Sequence, residues 1–117
     1  MTTTHSKSLD EPWFTFVNTG EKKYEIRLDT DRNKSIKTGD QIIFENYELG
    51  FYREVTVKVV ENDTFNSFEE CLSAKGTKNC VPGVPVMKEA LKIYNNLYIT
   101  SMKPDLKILC WRIEVVK

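Results

Sequence analysis

The chain has no run of about eighteen apolar residues, the length a helix needs to cross a bilayer, so no membrane span is expected. Its first ten residues, Met1 to Asp10, contain no apolar stretch of the kind that directs secretion. Histidine occurs once, at His5, and there is no C-x-x-C pair, so a structural zinc site lacks its ligands. No metal and no organic cofactor is expected. Cysteine is scarce and odd in number: Cys71, Cys80 and Cys110. Without a secretion signal, that count points to reduced thiols inside a cell, in the cytoplasm or, in a eukaryote, the nucleus. An excess of either charge is also missing. Lys+Arg and Asp+Glu each total 17, for a net charge of zero. Domains that coat duplex nucleic acid through bulk charge are usually strongly basic, so the balance argues against that class, though not against a local basic groove. Repeats, low-complexity runs and linkers are absent too. What remains is a chain of 117 residues, 40% hydrophobic and 29% charged, which suits one globular domain with a single modest core.

Residues 1 to 6 are polar and expected to fray, with residues 1–4 a disordered tail and the domain running over 5–116. Pro12 suits the first turn of a helix and Gly20 its end, with Trp13, Phe16 and Val17 on one face. Tyr24, Ile26 and Leu28 alternate with Lys23, Glu25 and Arg27, the pattern of a half-buried strand. Asp31 to Asp40 reads as a polar loop closed by a turn at Gly39. Strands follow over Gln41 to Glu45 and Val55 to Val59. Ser67 with Glu70 forms a capping box for a short helix that turns Cys71 and Leu72 inward. After a loop at Pro82, Gly83 and Pro85, apolar residues from Met87 to Tyr98 recur at helical spacing. Leu109, Trp111, Ile113 and Val115 alternate through a last strand. The sum is an α+β domain of about five strands and about three helices. So many short strands in so few residues predict a small barrel or strongly curled sheet.

The segment Gly20 to Asp40 carries the chemistry. Glu25 and Arg27 stand two apart on a strand, hence on one face, roughly 7 Å apart. Two readings are open. One is an exposed ion pair worth about 0–1 kcal/mol. The other is a binding groove: Lys22 and Arg27 supply anion-binding groups, Glu25 holds the arginine fork, and Trp13 and Phe14 pack nearby to stack a base. Elsewhere the bland readings prevail. His5 is a solvated histidine or a chance strand residue, the three cysteines are buried structural thiols, and the Met87–Tyr98 stripe and Trp111 are core. Ser67 is a cap and not a nucleophile, because no histidine outside the tail can partner it.

The pattern P12-W-F, then G20-E-K-K-Y-E-I-R27, then I36-K-T-G-D40-Q-I-I-F44 resembles the ASCH domain, a member of the PUA-like group. The likeness continues through S67-F-E-E-C-L72, C80-V-P-G83 and the W111-R-I-E-V strand, and covers nearly the whole chain. It implies a small PUA-like β-barrel flanked by helices, with a cleft between them in which relatives are thought to bind RNA or modified nucleotides. By motif position Lys22, Glu25 and Arg27 would line that cleft, with Asp40 matching the family's Gly-Asp and Lys37 placed for a phosphate. Some small bacterial members are amidohydrolases that deacetylate acetylcytidine using a lysine, a threonine and a glutamate, and others are described as ribonucleases. Lys22 falls on the lysine position, and Glu25 stands where those enzymes have the threonine. Lys75, Lys78 and Asn79 occupy the region where their glutamate would lie. The expected partner is therefore RNA, a nucleotide or a nucleoside. The alternatives are catalysis through Lys22 and Glu25, and a protein-interaction module.

Overall fold

Alternation along the last strand organises the molecule. In the computed structural model, which describes residues 2–98 and 106–117, strand β5 covers Ile108–Val115. Leu109, Trp111 and Ile113 point into one apolar cluster, while Ile108 and Cys110 point into another. This is the period-two division of a strand buried on both sides. The described residues form β1 (Thr4–Ser8), α1 (Trp13–Thr19), β2 (Tyr24–Leu28), α2 (Asp31–Lys34) and β3 (Gln41–Asn46). Then come β4 (Arg53–Phe65), α3 (Phe68–Lys75), α4 (Thr77–Cys80), α5 (Met87–Leu97) and β5. The strands make one sheet in the order β1-β3-β4-β5-β2. Only β1 runs parallel to its neighbour; the other pairs are antiparallel. The sheet curls into a half-barrel around the first cluster, and α3, α4 and α5 cover its convex face over the second. The class is α+β, as the alternating segments predict.

Curling depends on β4. Its first half pairs with β3 and its second with β5, and the register slips between Val59 and Glu61. Such a bulge bends a strand and increases its twist, so one long strand can serve two neighbours around a corner. The strand expected over Val55 to Val59 therefore runs on to Phe65. Its continuation Glu61–Thr64 is exposed and polar, and backbone pairing holds it there rather than apolar alternation.

Three further expectations change. Residues 4–6 are not frayed: Thr4–Ser8 pairs with Gln41–Glu45, completing the edge of β3 (Met1 lies outside the described residues). The polar sequence of this strand hid it, since only one face is half-covered. The loop Asp31–Asp40 opens with the single turn α2, whose Asn33 N–H is accepted by the Thr30 side chain. A second single turn, α4, follows α3, so the described helices number five. The capping prediction at Ser67 holds, as its Oγ accepts the Glu70 N–H at 3.1 Å. α1 ends at Gly20, whose φ of 84° is the left-handed conformation that glycine adopts without steric cost. The buried residues of α1 are Phe14 and Val17, while Trp13 and Phe16 are only half-covered. All three cysteines are buried and free.

Candidate ligand cleft between the sheet edges

β2 forms one edge of the curled sheet and β1 the other. In register, Glu25 stands opposite Trp111 and Arg27 opposite Leu109, and both of those partners face the inside of the curl. Glu25 and Arg27 therefore also point inward, into the seam where the barrel is open. Arg27 spans that seam, with Nη2 donating to the Ser8 carbonyl of β1 at 3.1 Å. Of the two readings open from sequence, the exposed ion pair gives way to a buried network. Glu25 is 4% exposed and Lys22 4%.

The network is closely satisfied. Glu25 Oε2 accepts from Arg27 Nε at 2.9 Å and from Nη2 at 2.7 Å. Oε1 lies 3.5 Å from Lys22 Nζ. Lys22 Nζ also donates to the Tyr24 carbonyl at 2.7 Å and to the Cys80 carbonyl, tying β2 to the end of α4. Three oxygens thus meet the three N–H bonds of an ammonium, an arrangement that suits a charged, structural lysine. Burial works against ionising Glu25, but the Arg27 and Lys22 cations outweigh it and hold the carboxyl below its usual range. Burial also opposes the charge on Arg27, and Glu25 overcomes it and raises the guanidinium further.

Beside this charged floor lies a cleft of about 250 Å³. Its walls are Ser8, Leu9, Asp10 and Trp13 on one side and Val81, Ile93, Tyr94, Leu97 and Tyr98 on the other. Lys22 Nζ sits 5.9 Å from the centre of the Trp13 ring. Tyr98 donates its hydroxyl to the Ile26 carbonyl at 3.3 Å. Burial, followed by the Glu25 charge, pushes its phenol up to about 12, and burial likewise raises Tyr94. Both phenols are therefore neutral at physiological pH. Small-molecule pockets usually span about 300–1,000 Å³, so this cleft suits one base or nucleoside rather than a larger ligand. A groove of about 370 Å³ at the C-terminal end of α1 shares Lys22 but has no aromatic ring among its lining residues. Among the described residues, no group of three His, Cys, Asp or Glu side chains is placed to hold a metal ion.

Lys22, Glu25, Arg27 and Trp13, all anticipated from sequence, meet in this cleft. Lys37 and Asp40 do not line it. Lys37 is exposed and donates its Nζ to the Lys34 carbonyl at 3.1 Å. The Asp40 carboxylate fastens β1: it accepts the Thr3 N–H at 3.1 Å, His5 Nε2 at 2.9 Å and the Lys37 N–H at 3.0 Å. His5, read as a solvated histidine or a chance strand residue, lies on β1 as a half-buried partner of Asp40. Sequence reasoning missed the α5 wall, because Ile93, Tyr94 and Leu97 read as an ordinary core stripe. No local signal marked it as a wall: only in the structure are Ala90 and Tyr94 alone of α5 buried and Leu97 left 56% exposed.

A sequence model of the ASCH domain matches residues 8–110. The chain belongs to the ASCH domain family. This ASCH domain is similar along its length to the hypothetical protein PH0355, with 30% identity and a TM-score of 0.83 over 97% of this chain and 99% of that one. It also resembles protein PF0455 from Pyrococcus furiosus, at 27% identity and a TM-score of 0.76 over 98% of each chain. An ASCH domain from Lactobacillus crispatus shares the fold at 8% identity, with a TM-score of 0.67 over 97% of this chain and 79% of that one. No protein of curated function matches the sequence. Among the described residues, no helix is long and apolar enough to cross a membrane.

Proposed function

We propose that this ASCH domain binds a nucleotide, or one unstacked base of single-stranded RNA, in the cleft between the sheet edges and α5. The observation that carries the reading is the pairing of aromatic walls, Trp13 and Tyr98, with a fixed carboxylate and guanidinium at the floor. Bases taken out of a stack are recognised in this way, by rings on their faces and hydrogen-bonding groups on their edges. Glu25 keeps spare acceptor capacity on Oε1 for an exocyclic amine or ring N–H. Arg27, 21% exposed at its side chain, offers N–H groups towards a carbonyl or phosphate. The family supports the same reading, since ASCH domains are thought to bind RNA. The neutral net charge favours a small or single-stranded ligand over a long duplex. Hydrolysis of an acylated nucleoside would need a group able to take a proton. The three oxygens around Lys22 Nζ argue against that role for it.

Short single-stranded RNAs and nucleoside monophosphates, titrated at low and moderate salt, test the proposal through quenching of Trp13. Trp111 is buried in the core and serves as the internal reference. Saturable quenching that weakens with salt is expected. Base–aromatic stacking is worth about 1–3 kcal/mol, so Trp13→Ala (followed with a labelled ligand) or Tyr98→Ala should weaken binding about 5- to 150-fold. Failure of the wild-type protein to bind any of these ligands refutes the reading.

A further inference from the structure

Lys7 is a half-buried lysine with no counter-ion among the described residues. On β1 it stands opposite Phe44, whose ring faces the inside of the curl. Arg27 lies over the same ring, its Cζ 6.0 Å from the centre. Lys7 and Arg27 therefore converge on one spot in the seam, at the end of the cleft where Ser8 accepts from Arg27. The Lys7 ammonium donates to Asn33 Oδ1 of α2, and Asn33 is held in turn by donating Nδ2 to the Leu28 carbonyl at 2.8 Å. Arg32, exposed, precedes Asn33 on that turn. No carboxylate of the described residues comes within ion-pairing distance of Lys7. The nearby Glu25 is already bound to Arg27 and Lys22. Lysines are rarely drawn out of water without a paired charge.

We propose that Lys7, Arg27 and Arg32 form a phosphate subsite at the β1 end of the cleft, so that the ligand is a phosphorylated nucleotide and not a neutral nucleoside. The inference rests on the base-binding reading of the cleft for the nucleotide part, though not for the anion itself. The titration of Lys7 agrees with the geometry. Burial first, then the Arg27 and Arg32 charges, bring its ammonium down to about 8, with Glu25 opposing. A dianionic phosphate between these cations relieves their repulsion and supplies the acceptors that Asn33 alone does not.

Thermal unfolding in inorganic phosphate, against chloride at matched ionic strength, tests the subsite without any base. Phosphate should raise the wild-type midpoint by a few degrees beyond chloride, as a ligand of the folded form does. The gain should shrink in Arg32→Gln, an exposed substitution that leaves the core intact, and disappear in Lys7→Met. Nucleoside 5′-monophosphates should bind about tenfold more tightly than the matching nucleosides, a gap of about 1.4 kcal/mol that Lys7→Met narrows. If wild type shows no preference for phosphate over chloride, or both variants keep the full gain, the subsite is overturned. If phosphate is captured through Lys7 but no base adds affinity, the subsite stands and the base-binding reading fails.

Discussion

Replacing Glu25 by Gln removes one charge while keeping nearly the same shape. The carboxylate accepts two charge-assisted bonds from Arg27, at 2.9 and 2.7 Å, and faces Lys22 Nζ at 3.5 Å. An amide can return at most one neutral acceptor and turns an NH₂ towards a buried cation. Two cations then remain in a seam where Glu25 and Lys22 are each 4% exposed. Removing one partner of such a buried set typically costs about 3–5 kcal/mol. That is a large share of the roughly 5–15 kcal/mol holding a domain together. Urea unfolding followed by Trp111 fluorescence measures the cost. The pH dependence separates charge from packing. The Glu25 carboxyl is held below its ordinary value of 4.5 in the folded protein. The folded state therefore binds fewer protons there than the unfolded chain. The stabilisation is complete above the ordinary glutamate range and is lost as pH falls through the lower folded value. Glu25→Gln should accordingly trail wild type by several kcal/mol at neutral pH and approach it in acid. A cost within about 0.5 kcal/mol of zero at neutral pH, the scatter of ordinary surface changes, would refute the claim that this network is buried and paired.

Asp40→Ala removes three acceptor contacts to Thr3, His5 and Lys37 and should cost about 1–3 kcal/mol. Amide exchange should rise along β1 first, and unchanged protection of His5 and Lys7, whose N–H groups face β3, would contradict the anchoring role. The His5 hydrogen bond, then the Lys37 and Thr3 N–H groups, bring the Asp40 carboxyl to about 2. Its contribution is therefore full above the usual 3.8 and is lost as pH falls through about 2. Glu54→Lys acts in the opposite direction. Glu54 faces Glu45 directly across β3 and β4, and the Tyr52 hydroxyl is shared between them at 2.5 and 3.2 Å. Like charges opposite one another destabilise a pair by about 0.2–1 kcal/mol, so the substitution should raise the midpoint by about 1–5 °C in calorimetry. A lowered midpoint would show that the tyrosine bridge outweighs the repulsion.

Local periodicity made most of the strands and the longer helices legible, because burial imposes a repeat of two or 3.6 residues wherever one face is apolar. It failed where backbone pairing or a single polar cap does the holding. β1 is polar because only one of its faces is half-covered, and the end of β4 because its side chains look outward. α2 and α4 are single turns too short to show a repeat. The same limit governed the cleft. Lys22, Glu25 and Arg27 drew attention as a dense charged segment, but their spacing equally describes an exposed strand. Lys7 and the α5 wall gave no local sign of belonging with them.

The sequence by itself determined an α+β chain with a charged strand, neutral overall and without metal-ligand spacing, because composition and alternation are properties of neighbours along the chain. Only the tertiary structure decided that this strand lines a seam and not a surface. Closing the curl brings β1 and α5 over β2, and enclosure depends on residues distant in sequence. That enclosure turns an ordinary pair of opposite charges into the buried floor of a cleft.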